Sequence, residues 1–149
     1  MNYCGLNVCD TANGPGIRVS LFVSGCTVQC KYCFNKESWD FNAGKPFTEQ
    51  TKQTILNALQ EEYIEGFSLL GGDPFEREHE SCLVDLLADI KNRYPNKTIW
   101  CWTGRIYDTV KDSPLLKYVD YLVDGPYVPA LKAEHKWYGS NNQKIIKIR

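Results

Sequence analysis

Ile17-Arg-Val-Ser-Leu-Phe-Val-Ser24 runs directly into Gly25-Cys26-Thr-Val-Gln-Cys30-Lys-Tyr-Cys33. The first eight residues are rich in β-branched and apolar side chains and follow a turn signal, Asn13-Gly-Pro-Gly16, so they predict a strand. The three cysteines then fall in the loop at that strand's C-terminal end. Working outward, residues 34–47 are largely polar, contain Gly44 and Pro46, and read as loop. Residues 48–63 read as a helix with Thr48 as N-cap and Ile55, Leu59 and Tyr63 at four-residue spacing. Residues 67–70 form a short strand that stops at Gly71-Gly72-Asp73-Pro74. Residues 80–94 predict a second helix, with Leu83, Leu86, Leu87 and Ile90 on one face and Pro95 beyond its end. A third strand covers 98–103, a weaker helix interrupted by Pro114 covers 106–118, and a fourth strand covers 121–123. That strand stops at Asp124-Gly125-Pro126, and residues 144–148 read as a last strand.

Strand, helix, strand, helix, strand, helix, strand is the order of an α/β unit with a mostly parallel sheet. Right-handed crossovers then gather the strand ends on one side. Every chemically suggestive group lies just after a strand: the cysteines, Gly71 to Pro74, Thr103-Gly104 and Asp124-Gly125. Parallel α/β architectures build their sites at that edge.

The bulk numbers narrow the class. A chain of 149 residues, 43% hydrophobic, fits one domain over 1–149 with a substantial core. The net charge is -1 and no basic block stands out, so nucleic acid and anionic membrane surfaces are not expected partners. No apolar run is long enough to span a bilayer and no secretory signal is visible, so the expected compartment is the cytoplasm. Seven cysteines without a signal peptide argue against a disulfide framework.

The spacing Cys26-x3-Cys30-x2-Cys33 brings three thiolates onto one loop. Three free buried thiols are one reading, since cysteine packs as a small hydrophobe, but three in eight residues opening at Gly25 are poorly explained by it. Structural zinc wants a closed set of four ligands, usually two C-x2-C-like pairs, and neither the histidines nor Cys4, Cys9, Cys82 and Cys101 form a second pair. A Cys30-x-x-Cys33 redox couple leaves Cys26 without a role. A four-iron cluster normally takes four thiolates; three leave one iron open, which is the mark of a reactive metal site. The remaining cysteines read as structural or incidental. His79 and His135 have no companions for a nucleophile–base arrangement.

The cysteine spacing, with Tyr32 and Phe34 beside it, resembles the signature of the radical S-adenosylmethionine superfamily. Asn13-Gly-Pro-Gly-Ile-Arg18 and Leu21-Phe22-Val23-Ser24-Gly25-Cys26 look like the opening of the glycyl-radical activating enzymes. The likeness continues through Phe34-Asn35-Lys36, Trp39, Gly71-Gly72-Asp73-Pro74, Trp102-Thr103-Gly104, Val123-Asp124-Gly125 and Gly139-Ser140-Asn141-Asn142-Gln143. Together these resemble the activating-protein family of anaerobic ribonucleoside-triphosphate reductase.

The resemblance implies a [4Fe-4S] cluster held by Cys26, Cys30 and Cys33, with S-adenosylmethionine chelated at the open iron and cleaved to a 5′-deoxyadenosyl radical. It implies an α/β fold, a partial, open (β/α) barrel of mostly parallel strands with helices outside. The implied partners are the large subunit of the reductase, whose glycine is the target, and an electron donor such as flavodoxin or ferredoxin. For cofactor contacts it implies the Tyr32, Cys33 and Phe34 stretch beside adenine, and Gly71, Gly72 and Asp73 beside the methionine amino group. Without the cysteines, that glycine stretch would read as an ordinary turn. Thr103 and Asp124, at two further strand ends, could reach a polar group such as a ribose hydroxyl; a helix cap and a turn are their plainer roles. Trp100 and Trp102 alternate with Cys101 and should share one face of their strand. Tyr138 stands where the family often carries an arginine before the glycine of the C-terminal motif, and it cannot supply that charge. Two alternatives are an activase of a different glycyl-radical enzyme and a zinc- or cluster-stabilised binding module without catalysis.

Overall fold

A computed structural model describes residues 1–29 and 36–149. Its centre is a seven-stranded sheet in the order β3-β1-β2-β4-β5-β6-β7. The strands are β1 (Asn2–Asp10), β2 (Ile17–Val23), β3 (Lys45–Pro46), β4 (Ile64–Gly71), β5 (Thr98–Trp102), β6 (Tyr121–Asp124) and β7 (Lys144–Lys147). The helices are α1 (Glu49–Leu59), α2 (Glu80–Arg93) and the single turn α3 (Tyr107–Val110). The sheet does not close on itself, so the architecture is an α/β open, partial barrel.

The four strands β2, β4, β5 and β6 are parallel neighbours, as their alternation with helices requires. The flanks are antiparallel: β1 pairs with β2 and β3, and β7 pairs with β6. The mostly parallel expectation therefore describes the centre of a mixed sheet. The connection from β6 to β7 carries only a short 3-10 turn at Pro129–Leu131, so no crossover helix turns the chain around for a parallel strand.

The local boundaries have physical reasons. Thr48 caps α1 through a capping box: its hydroxyl accepts from Thr51 N while Thr51 Oγ1 accepts from Thr48 N. Two otherwise orphaned donors are satisfied there. Thr48→Ala is expected to cost about 1 kcal/mol, measured as a lower urea midpoint with unchanged m-value. The helix stops at Leu59, four residues short of the expected end; Tyr63 lies outside it and is exposed. Ile64 joins the parallel pairing opposite Ile17, which lengthens β4 beyond the expected 67–70. Pro114 ends the third helical segment early and starts a 3-10 turn over Pro114–Lys117. Residues 36–47, expected as loop, contain a 3-10 turn (Lys36–Trp39) as well as β3.

Period two sorts the sheet's faces. Val19, Leu21, Val23, Phe67, Leu69, Ile99 and Cys101 join Ile55, Leu56, Leu59, Leu83, Leu86, Leu87 and Ile90 of the helices in one buried core. Each large apolar side chain fully buried there contributes roughly 1.5–3 kcal/mol relative to exposure. The opposite face carries Trp100 and Trp102, whose rings lie 5.7 Å apart. Trp100 stacks on Tyr121 at 4.8 Å and meets the edge of Trp137 at 4.9 Å.

Arg18 plugs the N-terminal end of the parallel strands. Fully buried, it donates to Ser68 Oγ, Pro15 O, Phe67 O and Thr98 O at 2.8, 3.2, 3.1 and 2.8 Å. Ser68 Oγ in turn donates to Asn13 O at 2.6 Å. Asn13-Gly-Pro-Gly-Ile-Arg18 is thus a brace at the end of the sheet opposite Cys26. Burial lowers the guanidinium to about 10, still protonated at neutral pH. No helix among the described residues is long and apolar enough to cross a membrane.

Candidate cluster and cofactor site

At the C-terminal ends of β2, β4, β5 and β6 lies a cavity of about 200 Å³. Cys26, Gly71, Gly72 and Thr103 line it, together with Trp39, Trp102, Tyr127 and Gln143. Cys30, Tyr32, Cys33 and Phe34 lie outside the described residues. Of the expected site residues that are described, four therefore open on one space: Cys26 after β2, Gly71 and Gly72 at the end of β4, and Thr103 after β5.

Glycine makes the approach possible. Gly72 N donates to Val23 O at 2.8 Å and Asp73 N donates to Gly25 O at 2.9 Å, so the end of β4 lies directly on the backbone that leads into Cys26. A Cβ on Gly72 would collide with Gly25 O and Ser38 O. Gly71 holds φ +118°, a region that favours glycine, and a Cβ there would strike the Val23 backbone. The segment after the cysteines folds back onto the same place: Gly25 N donates to Ser38 O at 2.6 Å and Cys26 N to Trp39 O at 3.3 Å.

Asp73 and Asp124 do not line the cavity with their carboxylates; both tie loops together. Asp73 is fully buried. It accepts from Thr103 Oγ1 at 2.9 and 2.8 Å, from Phe75 N at 2.9 Å and from Gly104 N at 2.9 Å. Burial pushes its carboxyl above the usual carboxylate range, and these donors oppose the shift. Asp124 Oδ2 accepts from Tyr107 N at 2.8 Å, which fixes the start of α3 beside the strand end.

The C-terminal motif closes the rim. Gln143 Oε1 accepts from Gly139 N and Ser140 N at 2.7 and 3.0 Å, and its Nε2 donates to Gly125 O at 3.0 Å. Asn142 Nδ2 donates to Pro126 O at 2.7 Å. This knot holds Gln143 at the cavity without an arginine at position 138, where Tyr138 stacks on His135 at 4.0 Å.

Sequence reasoning missed the polar contacts around Thr27. Glu76 Oε1 accepts from Thr27 N, Thr27 Oγ1 and Arg105 Nη2 at 2.7, 2.8 and 2.6 Å. These partners are 29 and 49 positions apart, and no local pattern announces them. Tyr127 was within reach, since it follows a strand-end turn already singled out.

Cys26, the one cysteine of the motif among the described residues, is suited to an iron–sulfur group. Cys26 presents a buried thiol to the cavity, and burial pushes that thiol up in pKa, with Asp73 and Glu76 adding to the shift. Iron would displace the proton. Trp39 beside it carries a buried indole Nε1 with no partner among the described residues. Among those residues no group of three or more His, Cys, Asp or Glu is assembled for a metal ion. Cys82 sits on α2 and Cys101 in the core, while Cys4 and Cys9 are exposed on β1.

Comparison with known proteins agrees with this reading. A family described as a 4Fe-4S single cluster domain matches residues 12–146. The anaerobic ribonucleoside-triphosphate reductase-activating protein of Enterobacteria phage T4 is 40% identical over 145 residues, covering 97% of this chain and 93% of its own. The protein of the same name from Vibrio cholerae is 40% identical, with 99% of each chain covered. That from Escherichia coli is 38% identical over the full length of both. Likeness of this extent, over a sheet edge built around one cysteine-lined cavity, shows that the chain belongs to the family of anaerobic ribonucleoside-triphosphate reductase-activating proteins.

Proposed function

We propose that the chain installs a glycyl radical on the large subunit of anaerobic ribonucleoside-triphosphate reductase, using a [4Fe-4S] cluster held by Cys26, Cys30 and Cys33 together with S-adenosylmethionine. The observation that carries this reading is the meeting of Cys26 with Gly71 and Gly72 in one cavity, in a member of a single-cluster family. When bound, the cluster supplies the electron that cleaves the sulfonium and yields a 5′-deoxyadenosyl radical. The protein supplies binding, orientation and exclusion of water. Gly71 and Gly72 leave the end of β4 free of side chains, so the methionine moiety can approach the backbone there. Thr103, held by Asp73, is the nearest candidate for a polar contact with the nucleoside, and Asp124 orders the neighbouring loop. Tyr32 and Phe34 are assigned to the adenine on resemblance.

Hydrogen-atom transfer from glycine requires no general base. An open sheet edge rimmed by Trp102 and Tyr127 suits a protein substrate that must present a backbone loop. The electron comes from an external carrier such as flavodoxin or ferredoxin, in the cytoplasm, with no role for nucleic acid or membrane.

Anaerobic reconstitution, reduction with dithionite and addition of S-adenosylmethionine should give 5′-deoxyadenosine and methionine. With the large reductase subunit present, electron paramagnetic resonance should show a glycyl radical on that subunit. Cleavage that leaves the reductase without a radical but activates another glycyl-radical enzyme would reassign the target. A colourless zinc protein without 5′-deoxyadenosine would overturn the catalytic reading.

A further inference from the structure

We propose that Arg105 and Glu76 form an ion-paired latch beside Cys26 that sets how readily the cluster accepts an electron. The inference rests on the reading of Cys26 as a cluster ligand. Glu76 follows the turn after β4, and Arg105 follows Gly104 after β5. Both converge on Thr27, the residue next to Cys26. Glu76, with a side chain 8% exposed, holds Thr27 by its backbone N and its hydroxyl. Arg105 Nη2 bridges Glu76 Oε1 at 2.6 Å and Thr27 Oγ1 at 3.1 Å, and its Nε stands 3.8 Å from Asp73 Oδ1.

Two carboxylates thus face one guanidinium immediately beside the first cysteine of the motif. Asp73 and Glu76 are buried and Arg105 is partly so, which holds these charges away from bulk water. An ion pair this poorly exposed is costly to desolvate, and its position suits a role at the site. The redox step is a one-electron transfer. The electron leaves an external reduced flavin or iron–sulfur carrier and enters the oxidised cluster, [4Fe-4S]2+ to [4Fe-4S]+, with no bond made or broken and no proton required. The site becomes one charge more negative. Glu76 and Asp73 oppose that change and Arg105 favours it, in a partly buried setting where water screens weakly. Cluster potentials respond to net charge in this way.

The test is a potentiometric titration followed by electron paramagnetic resonance on the reconstituted full-length protein. Arg105→Gln should lower the midpoint and Glu76→Gln should raise it. Each shift should be about tenfold in the reduction equilibrium, ~59 mV for one electron, and the double variant should fall between them. Glu76→Gln keeps an oxygen for Thr27, so the loop stays latched. Simple loosening of the loop would move both variants in one direction through solvent exposure. Shifts of the same sign, or none, with iron content intact, overturn the proposal. If Arg105→Gln holds no iron, Arg105→Lys decides: iron and wild-type midpoint restored support the charge account, and no restoration overturns it. Cys26→Ala separates the two failures. Iron retained in that variant defeats the ligand assignment, whereas unshifted midpoints beside an iron-free Cys26→Ala defeat only the latch.

Discussion

The Cys26→Ala protein is expected to leave anaerobic reconstitution colourless, with iron falling from about four per chain to background. It should then form no 5′-deoxyadenosine. Cys26 is buried, opens on the cavity, and is pinned from both sides by Gly25 N to Ser38 O and Cys26 N to Trp39 O. Two thiolates alone would hold a cluster weakly. Cys82→Ala, on α2, should keep both iron and cleavage. Iron analysis and visible absorbance on the two variants decide the matter. Full iron in Cys26→Ala, or its loss in Cys82→Ala, would redraw the ligand set.

Gly72→Ala is expected to destabilise the chain by about 3 kcal/mol, or ~6–12 °C in Tm for a chain of this size. It should also weaken retention of S-adenosylmethionine. The added methyl falls on two backbone carbonyls, Gly25 O and Ser38 O. Neither can rotate away, because each already accepts a hydrogen bond: Gly25 O from Asp73 N and Ser38 O from Gly25 N. Relief requires the end of β4 to separate from the loop that carries Cys26. Gly5→Ala is the control, since a Cβ there meets only the Phe22 ring at 3.5 Å, an ordinary contact. A calorimetric scan with bound-cofactor measurement distinguishes the two. Equal behaviour of both variants would mean that the strand end and the cysteine loop are not coupled.

The parallel centre of the fold was legible because its signals are local. Thr48 announces α1, Leu83 to Ile90 mark the buried stripe of α2, and glycine or proline punctuates each strand end. β1 was not legible. Asn2 to Asp10 lacks clean alternation and is mostly exposed or half-buried; it is a strand because β2 offers it an edge, a context effect that propensity does not capture. The site divides in the same way. Cys26, Gly71, Gly72 and Thr103 could be placed at one sheet edge from strand order alone. The roles of Asp73 and Asp124 could not, because whether a carboxylate faces a ligand or a backbone donor depends on loops distant in sequence. Thr27, Glu76 and Arg105 left no local trace for the same reason.

A barrel that stops short of closure keeps two outer strands, and such strands invite pairing between molecules. Here β3 is two residues long, Lys45-Pro46, both exposed. β7 brackets Ile145 and Ile146 between exposed Lys144 and Lys147. Brevity, a proline that offers no donor and flanking lysines are the devices by which natural sheets discourage edge-to-edge aggregation. The open sheet therefore comes with gatekeepers at both margins, and substitutions of Lys144 or Lys147 by apolar residues would be felt first as self-association.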